Sequence, residues 1–143
     1  MRIYLAGPLF TSAEQQWNRE LAAELRKYDH QTWVPQEHES EVHKTADIFK
    51  KDVEGLIWCN AIVANMDGPD PDSGTAWECC WGSQNNRLVF AYRTDFRNAE
   101  CDGAPINLMI YCSVTKYVDC TLASPEVTAT LLQRAFSDYA FGR

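Results

Sequence analysis

Apolar positions along this chain switch repeatedly between two periods. Residues 3–6, Ile-Tyr-Leu-Ala, read as a short buried strand. Thr11-Ser12-Ala13-Glu14 then matches a capping box, in which the threonine caps a helix and the glutamate reaches back to its start. Behind it Trp17, Leu21 and Leu25 recur at i, i+4 and i+8, one apolar helical face. Residues 31–34 read as a second strand stopped by Pro35, and residues 36–45 as a polar loop. Residues 46–58 follow a helical pattern with Phe49, Val53, Leu56 and Ile57 on one side. Residues 61–65 form an apolar third strand, of the kind found in a sheet covered on both faces. A turn-rich loop at 67–72 leads to a helix over 74–84 and a fourth strand over 88–92. After a second polar loop at 94–105 come a short apolar piece at 106–112, compatible with a helix, and a fifth strand at 114–118. Ser124-Pro125-Glu126 opens the last helix, with serine as N-cap and proline at the first helical position.

Alternating strands and helices predict a parallel sheet with helices on both faces. A length of 143 residues fits a single domain spanning 1–143. Sheets of this class bind ligands outside the carboxyl ends of their strands. That rule selects residues 6–12, 35–45, 66–78 and 93–107 as the segments in which to look for function.

Composition narrows the choice. Hydrophobic residues make up 45% of the chain and charged residues 23%, ordinary globular usage that excludes a disordered chain. The longest uncharged apolar run, residues 61–66, is far shorter than the roughly 20 residues of a membrane span. Thirteen Lys and Arg against twenty Asp and Glu leave a net charge of −7. Such a surface repels phosphate backbones, so a small neutral substrate is expected rather than a nucleic acid polymer. The six cysteines contain no C-x-x-C pair, and the chain enters its first strand without a signal-peptide layout. The expectation is reduced thiols in a cytoplasmic protein. His30, His38 and His43 lie far from the cysteines in sequence, so no metal site is expected.

The densest chemical signal is Asp67-Gly68-Pro69-Asp70-Pro71-Asp72-Ser73-Gly74-Thr75-Ala76-Trp77-Glu78, with four carboxylates at the mouth of the sheet. Glu78 falls in the first turns of a helix, whose dipole is expected to favour an ionised, nucleophilic carboxylate. Gly74 lets backbone approach a ligand closely. The same residues have a plainer reading: Thr75 to Glu78 is itself a capping box, and Asp72 or Ser73 is a good N-cap. Asp52 shares a helical face with Ile48 and Leu56; it is either a perturbed carboxylate in an apolar stripe or a solvated residue at the stripe's edge. Tyr4 either reaches a carboxylate at the sheet mouth or is a core tyrosine with a backbone partner. Phe10, after Gly7-Pro8, either stacks on a flat ligand or staples the first helix. Asn107, in Pro105-Ile106-Asn107-Leu108-Met109, either binds a ligand hydroxyl or caps its own segment.

Taken in order, four of these motifs resemble the nucleoside 2-deoxyribosyltransferases. They are Ile3-Tyr4-Leu5-Ala6-Gly7-Pro8-Leu9-Phe10, Asp52 with Gly55, Asp72-Ser73-Gly74-Thr75-Ala76-Trp77-Glu78, and Pro105-Ile106-Asn107-Leu108-Met109. The resemblance covers almost the whole chain. It implies a flavodoxin-like (Rossmann-like) α/β fold with a five-stranded parallel sheet, and transfer of 2-deoxyribose from one base to another. It implies Glu78 as nucleophile, Asp72 and Asp52 as base-binding carboxylates of which Asp72 helps protonate the leaving base, and Tyr4 as the group holding the nucleophile. It further implies Phe10 in the base pocket, Gly7 and Gly74 at the ligand, and Asn107 on the sugar 5′-hydroxyl. No cofactor is implied. The partners implied are nucleosides, nucleobases and further copies of the chain, in a homo-oligomer with shared active sites. One departure follows Glu78, where Cys79-Cys80-Trp81-Gly82 replaces the family's run of small residues.

Two other readings stand beside this one. The first is an N-glycosidase that passes the sugar of a nucleoside or deoxynucleoside monophosphate to water. The loop Gly7-Pro8-Leu9-Phe10-Thr11-Ser12 carries no Arg and no Gly-rich nest for a phosphate, which disfavours the nucleotide. The second is a non-catalytic binding module whose carboxylates are caps and solvated loop charges.

Overall fold

The computed structural model describes residues 1–38, 44–97 and 105–142. Strand and helix alternate: β1 (Arg2–Ala6), α1 (Ser12–Arg26), β2 (Gln31–Trp33), α2 (Pro35–His38), α3 (Thr45–Trp58), β3 (Ala61–Asn65), α4 (Ser73–Gln84), β4 (Leu88–Arg93), α5 (Leu108–Ser113), β5 (Lys116–Asp119) and α6 (Pro125–Phe141). The strands form one all-parallel sheet in the order β2-β1-β3-β4-β5. The order reverses between β1 and β3, the switch point at which flavodoxin-like sheets open a crevice.

Strand alternation sorts the core into two layers. Ile3 and Leu5 of β1 join Leu21 and Leu25 of α1 and Leu132 and Phe136 of α6 on one face. Tyr4 and Ala6 point the other way and join Leu56 of α3, Ile62 and Ala64 of β3, and Cys79 of α4. Both halves of the capping box are present: Thr11 Oγ1 accepts from Glu14 N, and Glu14 Oε2 accepts from Thr11 N. Ser124 caps α6 with Pro125 in its first turn, also as the sequence predicts.

Two expectations need correction. The polar stretch after the second strand is not all loop, because Pro35 opens the single-turn helix α2; the fixed φ of proline suits a first helical position. Residues 39–43 of that stretch, and residues 98–104 of the later loop, lie outside the described residues. In α3 the apolar side is wider than the side that packs. Leu56 is fully buried, whereas Phe49 and Ile57 are more than half exposed, because successive steps of four residues drift round the helix and off the sheet.

Gly55 sets how closely α3 approaches β2. A Cβ there would lie 2.5–2.7 Å from three atoms of the Trp33 indole. That ring is rigid and already committed, stacked on His38 at 4.1 Å and tilted against Trp58 at 5.9 Å. Gly55→Ala is therefore expected to destabilise the fold by about 1–2 kcal/mol. That is the upper half of an overpacking cost of roughly 1–3 kcal/mol less about 1 kcal/mol of regained helix propensity, because three atoms of a rigid ring must give way. Urea titration should show a lower midpoint with an unchanged slope; equal or greater stability would contradict this packing account.

Candidate active site

The carboxyl ends of β1 and β3 open onto a cleft of about 220 Å³. One wall is the β1–α1 loop, through Gly7, Leu9 and Phe10, together with Pro35 of α2. The other is carboxylate-bearing: Ile48 and Asp52 of α3, then Asp72, Gly74, Thr75 and Glu78 at the start of α4.

The geometry of α4 explains the depth of Glu78. Thr75, Glu78, Cys79 and Gly82 recur at i, i+3, i+4 and i+7, and Thr75, Cys79 and Gly82 are buried. Gly82 makes the close approach possible, since a Cβ there would clash with Ile62 Cδ1. The unusual Cys79-Cys80-Trp81 run is thereby accommodated. Cys79 packs in the core, Cys80 faces solvent, and the half-buried Trp81 has the Arg87 guanidinium over its ring at 6.0 Å.

On this inner face Glu78 meets Tyr4. The Tyr4 hydroxyl donates to Glu78 Oε1 at 2.5 Å across the sheet mouth. Tyr4 is fully buried, so it is a core tyrosine, but its partner is a side-chain carboxylate rather than backbone. Burial, and then the charges of Glu78 and Asp52, hold its hydroxyl far above the usual phenol range, and it stays a donor.

Glu78 itself departs from expectation. Burial pushes its carboxyl up to about 8; the Tyr4 hydroxyl opposes this, while Asp52 and Asp72 push the same way. The helix dipole does not prevail, because Glu78 is the sixth residue of α4 and the dipole fades beyond the first turn. Nor is Glu78 half of a capping box. Asp72 caps α4, its Oδ2 accepting from Thr75 N at 3.0 Å and from Thr75 Oγ1 at 3.4 Å. Cys79, the adjacent thiol, is pushed up to about 12 by burial and offers no competing thiolate near neutral pH.

The four carboxylates of the 67–78 segment separate cleanly. Asp67 turns to the segment that follows β4, accepting from Thr94 N, Thr94 Oγ1 and Asp95 N. Asp70 is exposed. Only Asp72 and Glu78 line the cleft, joined by Asp52 from α3. Phe10 lines it too and remains 75% exposed; the partner position for a hydrophobic staple is occupied by Gln15, so no staple forms. Asn107 is not among the cleft residues. It caps α5, its Oδ1 accepting from Met109 N at 2.9 Å.

A family model described as nucleoside 2-deoxyribosyltransferase matches residues 3–109, three quarters of the chain and every cleft residue named above. The chain belongs to this family. Among solved structures, a 2-deoxyribosyltransferase from Bacillus psychrosaccharolyticus is 26% identical, with a TM-score of 0.67 over 82% of this chain and 85% of that one. A conserved protein from Enterococcus faecalis is 24% identical, with a TM-score of 0.72 over 94% and 98%. A CMP N-glycosidase from Clostridium botulinum is 14% identical, with a TM-score of 0.66 over 93% and 98%. The last two likenesses are of fold. No curated protein matches the chain.

For a nucleoside 2-deoxyribosyltransferase the cleft is chemically coherent. It offers a half-buried carboxylate with one hydroxyl donor, two further carboxylates and an exposed aromatic, and no Lys or Arg lines it among the described residues. Sequence reasoning assigns no site role to Leu9, Pro35 and Ile48, which carry no chemistry and reach the cleft only through the topology, nor to Thr75. It also overlooks Arg93. This buried cation joins two loops by donating to Gly68 O at 2.8 Å and Pro105 O at 2.9 Å, and its place at a strand end was the available signal.

Proposed function

We propose that the protein moves 2-deoxyribose between nucleobases by double displacement, with Glu78 as the nucleophile. The Tyr4–Glu78 hydrogen bond within a cleft bearing two more carboxylates carries this reading. In the first step a Glu78 oxygen bonds to the anomeric carbon as the carbon–nitrogen bond breaks, and the departing base takes a proton from Asp52 or Asp72. In the second an acceptor base attacks the same carbon, Glu78 leaves, and the acceptor's proton returns to the carboxylate. Two inversions give net retention, as in retaining glycosidases. Tyr4 orients the carboxylate. Phe10, which lines the cleft, would stack on the base, and Gly7 and Gly74 would leave room for close approach.

The absence of a Lys or Arg lining the cleft among the described residues favours nucleosides over nucleotides, because a phosphate calls for cationic or clustered N–H donors. The competing reaction is hydrolysis, since a cleft walled by one copy leaves the glycosyl-enzyme open to water. A neighbouring copy closes it in our reading. Leu108 and Met109, beside Asn107, are 57% and 78% exposed and available to a second copy, from which Asn107 would reach a sugar hydroxyl. The protein would work as a cytoplasmic homo-oligomer, without a cofactor. No helix among the described residues is long and apolar enough to cross a membrane.

Thymidine and adenine supplied together should yield deoxyadenosine and thymine by chromatography. Thymine with free deoxyribose alone would identify a hydrolase, and no turnover a binding module. On dilution, transfer should fall together with association measured by light scattering; a monomer with full transferase activity would refute the shared site.

The pH dependence follows from Glu78. The nucleophile must be ionised, and its carboxyl is pushed up to about 8, so with a nitrophenyl deoxyriboside, whose leaving group needs no proton, kcat/KM should rise with pH towards that value. The Tyr4 hydrogen bond lowers the Glu78 pKa, so Tyr4→Phe should move this limb to higher pH. A limb unmoved in Tyr4→Phe would separate Tyr4 from the ionisation of the nucleophile.

A further inference from the structure

The loop carrying Gly7, Leu9 and Phe10 belongs to neither β1 nor α1, so its carbonyls have no ladder or helix to bond. Side-chain amides take that place. Gln15 Nε2 donates to Leu9 O at 2.9 Å, and Asn18 Nδ2 donates to Pro8 O at 3.0 Å. Gln15 and Asn18 lie three apart on one face of α1. Asn18 Nδ2 also donates to Gln36 Oε1 at 3.2 Å, and Gln36 Nε2 returns to the backbone of α1 at Gln15 O, 2.8 Å. Gln36 follows Pro35, which lines the same cleft from α2. The three amides thus tie the loop and α2 to a single helix, from behind the wall they form.

Such a tie matters because of Phe10. Phe10 is 75% exposed, so where its ring sits depends on the loop backbone that carries it more than on packing. We propose that Gln15, Asn18 and Gln36 form an amide clamp that positions the Gly7–Phe10 loop for base binding, with Asn18 as its centre. They are positioning residues, none of which lines the cleft. The functional half of this inference rests on the deoxyribosyl-transfer reading.

The test compares Asn18→Ala and Gln36→Met with Gln16→Met. Gln16 is an exposed residue of the same helix, and its amide bonds only Glu20 among the described residues. Hydrogen exchange is read at the amides of Gly7, of residues 9–11 and of β3, and steady-state kinetics with thymidine and adenine. Asn18→Ala and Gln36→Met should speed loop exchange at least about fivefold, a magnitude set by losing one or two net hydrogen bonds, with β3 unchanged. KM should rise about tenfold, with kcat within about threefold of the parent. Loop exchange matching Gln16→Met would overturn the clamp, and so would faster loop exchange with unchanged KM. A fall in kcat with faster β3 exchange would mark a merely structural role and overturn it equally. If the parent enzyme turns over no nucleoside, the function reading fails on that arm alone, while exchange still decides whether the amides hold the loop.

Discussion

Glu78→Ala is expected to lower deoxyribosyl transfer by on the order of 10⁴-fold or more, with the fold retained. In the proposed mechanism Glu78 forms the glycosyl intermediate, so losing its carboxylate would remove the covalent route entirely. The fold should survive because Asp72, not Glu78, caps α4. The expected cost is instead that of Tyr4, left fully buried without its acceptor, about 1–3 kcal/mol. Glu78→Gln separates the two effects. The amide oxygen can still accept from Tyr4, so stability should return while transfer does not.

Stability adds an independent check on the same residue. The folded state holds the Glu78 proton up to about pH 8, whereas an unfolded carboxyl loses it near its ordinary value of about 4.3. Between those values the folded state binds more protons, so this group makes stability fall as pH rises. The stabilising contribution is intact below the lower value and lost through pH 8. Glu78→Gln should flatten that slope and be the more stable protein above pH 8, by roughly 5 °C in Tm. Near-normal turnover in either variant would remove Glu78 from the chemistry.

The second large effect concerns the leaving base. Asp52→Asn and Asp72→Asn should each slow formation of the glycosyl-enzyme by on the order of 10²–10⁴-fold with thymidine. Both carboxylates line the cleft with Glu78, and both raise its pKa through their charge. Neutralising either should therefore ease ionisation of Glu78, and any rate loss arises at the base instead. Asn at 72 remains a good N-cap, so α4 should be preserved. With a nitrophenyl deoxyriboside, whose leaving group needs no proton, the loss should shrink to within about tenfold. Equal losses on both substrates would leave these residues binding the base without protonating it.

What the sequence made legible, and what it hid, divide on physical grounds. The parallel sheet follows from local periodicity, and both predicted helix caps at Thr11 and Ser124 form because capping acts within three residues. Tyr4, Gly7, Phe10, Asp52, Asp72, Gly74 and Glu78 meet because strand ends and the helix starts after them must converge at a switch point. At Glu78 spacing reports the dipole but not the burial that pushes its carboxyl up. Hydrophobicity puts Phe49 and Ile57 on the apolar side of α3 without saying how much of that side the sheet covers. Asn107 looks like a site residue and caps its own helix within the chain. The Gln15–Asn18–Gln36 clamp had no readable signal at all, since amides bonding backbone across elements leave no period in the sequence.

The central claim is a covalent bond between Glu78 and the sugar. A 2-fluoro-2-deoxy nucleoside tests it directly, because fluorine next to the anomeric carbon destabilises both oxocarbenium-like transition states and lets the intermediate accumulate when no acceptor base is present. Incubation, proteolysis and mass spectrometry should find one fluorodeoxyribosyl group per chain, on the peptide containing Glu78, and adenine should then discharge it. A label on Asp72 or Asp52, or steady turnover of the unfluorinated nucleoside without any labelled peptide from the fluorinated one, would contradict the account.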